Sequence, residues 1–192
     1  MTRRRVLQRA LAGLPVLSGF HGLGQQRVGA DHGRIDPPID VPAIPLRCAD
    51  GVLRNLTELT RGKATAVQLM FTQCTTTCPI EGAIFQRVQG LLPPAARPKT
   101  QLLSISIDPE NDTPAALREW LHRFHAEAGW TAATPQTKDL AAIQSLFGGG
   151  RSAIENHATR VQIVNGRSQL VWNSVELPPA ELIAAALTHI HG

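Results

Sequence analysis

Only three cysteines, Cys48, Cys74 and Cys78, occur in 192 residues. That is too few to staple a domain through a disulfide framework. No stretch reaches the roughly twenty apolar residues that a membrane-spanning helix needs. No internal repeat and no low-complexity segment is present. No acidic residue falls in the first thirty positions, which hold Arg3, Arg4, Arg5, Arg9 and Arg27. Without these arginines the chain carries 14 basic against 15 acidic residues, so the formal charge of +4 belongs to the leader. No second basic patch with interleaved aromatics exists, which argues against a nucleic-acid partner.

What is present fits one globular domain plus an extension. Hydrophobic content of 43% and charged content of 18% are ordinary, and a chain of this length buries a sizeable core. Thr2 to Gln8 form a basic n-region, and Ala10 to Phe20 form a short h-region interrupted by Gly13, Pro15 and Gly19. Residues 1–30 read as an export signal similar to the twin-arginine type, with small residues for cleavage after Ala30. The expected location is exported and periplasmic, either soluble or held at the membrane. Residues 31–43, rich in Pro and Asp, read as an extended linker. Residues 44–192 form the domain.

Ile44–Cys48 and Val52–Leu56 flank Ala49-Asp50-Gly51, a hairpin signal. The apolar run at 65–71 predicts a buried strand. Ile80, Ile84, Val88 and Leu91 recur at helical spacing, with Pro79 at the helix start and Pro93-Pro94 beyond its end. Leu102–Ile107 predicts a second strand. Thr113-Pro114 caps a helix with Leu117, Trp120, Leu121 and Phe124 on its apolar face. Leu140, Ile143, Leu146 and Phe147 mark another helix, stopped by Gly148-Gly149-Gly150. Residues 161–164 and 169–172 bracket Asn165-Gly166, a second hairpin, and a last helix starts near Pro179. Alternating strands and helices argue α/β. The order is accommodated by a thioredoxin-like fold: a central mixed sheet flanked by helices, with an added N-terminal hairpin.

Cys74-Thr75-Thr76-Thr77-Cys78-Pro79 sits between the first core strand and the next helix, where thioredoxins carry their dithiol. On one helical turn the two Cα atoms would be about 6 Å apart, within disulfide reach. The same pair can hold one soft metal ion. The site is therefore redox-active, metal-binding or both; an inert structural pair is the bland alternative. Partial exposure and thiolate pKa values lowered by the helix N-terminus are expected. Two sulfurs leave a soft metal short of a third donor. His122 and His125 read as a solvated helix surface, and His189 and His191 as a frayed tail. His157 stands just before the strand at 161, in the loop that faces the dithiol in a thioredoxin-like fold. Thioredoxins place a cis-proline there, whereas this chain has Ala158. Cys48 reads as a buried, inert thiol.

Phe71 to Pro79 resembles the Cys-x-x-x-Cys-Pro motif of the Sco (SenC) family of exported copper-binding proteins. Ser106 to Pro114 is similar to that family's second signature, and His157 falls where its distal histidine is expected. The resemblance spans roughly residues 37 to 190. It implies copper bound by Cys74, Cys78 and His157, with Asp108 near the ligands or the partner. It implies delivery of copper to the copper site of cytochrome c oxidase, or reduction of that site's cysteines. The implied partners are the oxidase copper-site subunit or another exported cuproprotein, and a thiol reductant. The chain departs from the family pattern at Thr75, where Pro is usual, and at Asn156, where Asp is frequent. An exported thiol:disulfide oxidoreductase uses the same cysteines without His157, and Thr75-Thr76-Thr77-Cys78 also superficially fits a peroxidatic motif.

Overall fold

The computed structural model describes residues 33–148 and 158–190. Its frame is one eight-stranded sheet in the order β1-β8-β7-β4-β5-β6-β2-β3. The strands are β1 (Gly33–Asp40), β2 (Pro45–Cys48), β3 (Leu53–Asn55), β4 (Ala64–Met70), β5 (Thr100–Ser106), β6 (Trp130–Pro135), β7 (Arg160–Val164) and β8 (Gln169–Glu176). The helices are α1 (Leu56–Thr60), α2 (Cys78–Leu91), α3 (Pro114–Arg123), α4 (Leu140–Phe147) and α5 (Ala180–His189). β4, β5 and β6 are parallel, and every other pairing is antiparallel. This is the mixed sheet that the order of elements predicts.

β4 is buried along its whole length, because helices cover both faces of the sheet's centre. Its side chains alternate. Ala64, Ala66 and Met70 join a cluster with Phe85 of α2, Trp120 of α3 and Ile183 of α5. Val67 and Leu69 face the other cluster, with Ile143 and Phe147 of α4. Gln68 points into the first cluster, where its amide donates to the Ser104 hydroxyl at 2.9 Å. The Trp130 indole N–H donates to the same hydroxyl at 3.0 Å.

Four local expectations change. β6 was not anticipated: Trp-Thr-Ala-Ala-Thr-Pro lacks a long apolar run, yet it supplies the partner that the β5–α3 crossover needs. Residues 33–40, expected within a linker, pair with β8 from Gly33↔Asn173 to Asp40↔Gln169, with an irregular stretch between. Pro37 and Pro38, which lack N–H groups, are tolerated because β1 is an edge strand. Leu56 opens α1 rather than ending a strand; the Asn55 backbone N–H donates to the Glu58 carboxylate at 3.0 Å. The buried face of α2 is Cys78, Glu81, Gly82, Phe85, Val88 and Gln89. Ile80, expected inside, is 50% exposed.

The capping prediction for α3 holds, with the Ala116 N–H donating to the Thr113 hydroxyl at 3.2 Å. Both hairpins form. In the first, Gly51 takes φ +83°, which the turn requires and which glycine tolerates. No helix among the described residues is long and apolar enough to cross a membrane.

Candidate dithiol site

The site is built where β4 ends and α2 begins. Met70 closes β4, and its carbonyl receives the Ile107 N–H at 2.9 Å. The chain then turns through residues 71–77, and Cys78 is the first residue of α2. Pro79 follows, inside the first turn, where its missing N–H costs nothing. Cys74 thus lies in the loop and not on the first helical turn. The pair still meets: the Cys78 backbone N–H donates to the Cys74 sulfur at 3.4 Å. The Thr76 hydroxyl lies 3.6 Å from the same sulfur. Both cysteines are thiols, not joined in a disulfide.

The two sulfurs are electrostatically unequal. Burial raises the cost of charging Cys74, but hydrogen bonds from the Cys78 thiol, the Cys78 and Thr76 backbone N–H groups and the Thr76 hydroxyl outweigh it. The Cys74 pKa falls to about 7. Cys78 goes the other way, first through burial, then through its hydrogen bond to Cys74 and the nearby Glu81 and Cys74 charges. Contrary to expectation, the helix N-terminus does not lower both thiols: Cys78 is 0% exposed, and desolvation dominates there. Cys74 is 7% exposed, less than a strand-to-helix junction predicts.

Two acids near the dithiol were not read from the sequence. Asp112 is 1% exposed. Its carboxyl accepts the Thr72 backbone N–H at 3.1 Å, the Thr72 hydroxyl and the Ser106 hydroxyl at 2.6 Å. It ties the second signature to the cysteine loop. Asp108, the acid singled out in the sequence, instead holds the Asn111 amide at 2.9 Å. It closes the turn after β5, with the Asp112 N–H bonded to its carbonyl at 2.9 Å. The other acid is Glu81, buried one turn after Cys78.

His157 lies outside the described residues, as do His32 and His191. Just beyond it, Ala158 is buried, and the Thr159 N–H and hydroxyl donate to Glu176 of β8, the former at 2.8 Å. His122 and His125 are exposed, as a solvated surface predicts. His189 is exposed, its Nδ1 2.6 Å from the Ala185 carbonyl. Cys48 is 1% exposed and its thiol pKa is raised, chiefly by burial. Among the described residues no group of three or more His, Cys, Asp or Glu side chains is placed to hold a metal ion.

A thiol of lowered pKa beside a buried second thiol, between a core strand and a helix, defines a thioredoxin-like dithiol protein. The SCO1/SenC family profile matches residues 50–190. The chain belongs to the SCO1/SenC family. Yeast Sco1 with copper bound superposes with a TM-score of 0.66 at 19% identity, covering 81% of this chain and 93% of that one. BsSco, described as a Sco-family cytochrome c oxidase assembly protein with a disulfide switch, superposes with a TM-score of 0.63 at 23% identity, covering 80% and 95%. A Stutzerimonas stutzeri protein named for copper binding is 30% identical over 92 residues, 48% of this chain. The match spans 44% of that relative's length.

Proposed function

We propose that the protein is an exported copper carrier that binds one copper ion through Cys74, Cys78 and His157. In this reading it passes the ion to the copper site of cytochrome c oxidase or of another exported cuproprotein, or reduces that site's cysteines. The observation that carries the proposal is the contact of Cys74 and Cys78 at the start of α2, with Cys74 poised to ionise near neutral pH. Thiolates are the soft donors that Cu(I) selects, and a neutral imidazole completes a three-coordinate site. Deprotonation of Cys78 accompanies metal entry, since its proton must leave before the sulfur can bind. The family membership supports this reading, as do the copper-bound yeast relative and the copper-binding name of the curated one. Export rests on the arginine-rich leader, residues 1–30.

Anaerobic copper titration of the reduced protein tests it. One copper per chain is expected, with tight binding abolished in Cys74→Ala and Cys78→Ala. His157→Ala weakens binding and alters the Cu(II) spectrum. Unchanged affinity and spectrum in that variant would remove His157 from the ligand set. Rapid turnover of disulfide substrates, equal in wild type and His157→Ala, would favour the oxidoreductase alternative.

A further inference from the structure

A cleft lies far from the dithiol. Cys74 follows the C-terminal end of β4, whereas the β7–β8 turn sits beside the start of that strand. Val164 is in register with Thr65, and the Gly62 N–H donates to the Gly166 carbonyl at 2.9 Å. The length of β4, about 20 Å for seven residues, separates the two ends. Beside the turn the cleft has a volume of about 400 Å³, with Arg34, Arg167, Val171, Trp172, His189 and Ile190 in its walls. That size falls in the range of small-molecule sites, roughly 300–1,000 Å³. Among the described residues no carboxylate and no cysteine lines it.

Irregular pairing of the outer strands opens the cleft. From Arg34↔Trp172 to Ile39↔Leu170, β1 takes five steps where β8 takes two. The surplus residues bow out of the pairing, with Pro38 at the rim. Against β7, β8 takes two steps from Leu170 to Trp172 where β7 takes one, from Val164 to Ile163. Val171 is the extra residue of this bulge. It therefore lines the cleft together with its neighbour Trp172, which regular alternation would forbid. α5 packs on β4 and β7 and ends at His189, so its last residues form the remaining wall.

The lining carries positive charge with no counter-charge of its own. Neither the Arg34 nor the Arg167 guanidinium is in an ion pair or hydrogen bond with another described residue. Both are nonetheless positioned by the backbone. Arg34 stands directly opposite Trp172 across the β1–β8 pair, on the same face of the sheet. Arg167 rides on a turn fixed by Asn165, whose Oδ1 accepts the Arg167 and Gln169 N–H groups at 3.0 Å each. Trp172 is half-buried and packs, like Ile190, against the core cluster under α5. The His189 Nδ1 donates to the Ala185 carbonyl at 2.6 Å, which pins the ring in the wall. Two uncommitted guanidinium forks match an oxyanion. An indole with Val171 and Ile190 beside it matches a flat apolar body. We infer that the cleft binds a small aromatic oxyanion, its charged group on Arg34 and Arg167 and its ring against Trp172. An inorganic ion would leave the apolar wall unused, and a neutral ring would leave the arginines unpaired. The binding needs neither copper nor the dithiol.

Isothermal titration of the reduced, copper-free full-length protein with naphthoate and, separately, with naphthyl phosphate tests this. A dissociation constant below about 1 mM is expected for at least one of them. Inorganic phosphate and the neutral naphthalenemethanol should bind more weakly than either. Arg34→Gln and Arg167→Gln should each weaken binding about tenfold, the lower range for a hydrogen bond to a charged group. Both side chains are exposed, so the variants should fold, which circular dichroism checks. Nuclear magnetic resonance locates the ligand through the indole N–H signals of the three tryptophans. The signal lost in Trp172→Phe should shift on titration, while those of Trp120 and Trp130, 1% and 6% exposed, should stay in place. Should Trp172→Phe not fold, the arginine variants decide. Binding of neither naphthyl oxyanion below about 1 mM overturns the proposal. So does an affinity unchanged in both arginine variants, or an equal affinity for naphthalenemethanol. Inorganic phosphate that binds as tightly as the naphthyl oxyanions, with no shift at Trp172, overturns it as well.

Discussion

Asp112 accepts both the backbone N–H and the hydroxyl of Thr72, two positions before Cys74. Glu176 repeats the device at Thr159, two positions after His157. The two acids come from the β5–α3 connection and from β8. Each anchors one flank of the proposed ligand set to the sheet, and a binding site needs such support to hold its geometry.

Asp112→Ala removes the acceptor for the Thr72 N–H and hydroxyl and for the Ser106 hydroxyl. Stranded donors of this kind cost about 1–3 kcal/mol each and do not add fully, so about 2–4 kcal/mol of stability should be lost. The freed loop should also expose Cys74 to alkylation several-fold faster. Urea denaturation and timed alkylation check both. A midpoint unchanged from wild type would mean that Asp112 does not anchor the loop.

The site's chemistry was legible in the sequence where residue type alone carried it. Cys78 at the start of α2 and the cap at Thr113 stand where they were expected, while Cys74 lies in the loop before the helix. Glu81 was not legible, because the apolar residues Ile80 and Ile84 drew the predicted helix face toward themselves. Counting from Cys78 at a spacing of about 3.6 leads to Glu81, Phe85 and Val88, the face that is buried. Asp112 was missed because its partner Thr72 is 40 residues away; no local pattern reports such a pairing. Asp108 drew notice through its motif position, while its side chain is spent on Asn111. β6 is short and small-residued, and it becomes a strand through the neighbours on either side, β5 and β2.

The inequality of the sulfurs predicts ordered reactivity. In reduced, metal-free protein Cys74 should alkylate first, with a rate that rises through its pKa of about 7. Cys78 and Cys48, both buried with raised pKa values, should react only on unfolding. Mass spectrometry after timed iodoacetamide exposure across pH 6 to 9 reads this directly. Equal labelling of Cys74 and Cys78 would refute the assigned order.

In the proposed site, copper and a disulfide compete for the same sulfurs. Oxidation of Cys74 and Cys78 to a disulfide should therefore abolish copper binding, and bound copper should protect both from alkylation. A dithiol that alkylates at full copper loading would place the metal elsewhere.

Gly82 sets how closely α2 approaches α3. A methyl group there would lie 2.4 Å from the Phe124 ring, and that ring is packed edge-on against Trp120 with centroids 4.7 Å apart. Overpacking costs about 1–3 kcal/mol, while replacing glycine within a helix returns about 1 kcal/mol. Gly82→Ala should lower the melting temperature. Gly90→Ala, on the same helix with no atom within 4 Å of the added methyl, should raise it or leave it unchanged. A stabilised Gly82→Ala would show that Phe124 has room to move.

Glu81, buried one turn after Cys78 with no hydrogen-bond partner for its carboxyl among the described residues, should leave its mark on stability. Its pKa is about 9 in the folded protein, against about 4.3 for an unperturbed glutamate. Between these values the folded chain holds a proton that the unfolded chain releases, so the group's contribution weakens as pH rises. It is fully present below the unfolded pKa and lost as pH climbs through the folded one. Glu81→Gln removes this dependence. Relative to wild type, the variant should gain stability steadily from pH 5 to 9, with a limiting slope of about 1.4 kcal/mol per pH unit. Urea midpoints of the reduced, copper-free proteins at several pH values give the difference. A wild-type minus variant difference that stays flat over this range would mean that Glu81 is ionised in the fold, with a partner that compensates its charge.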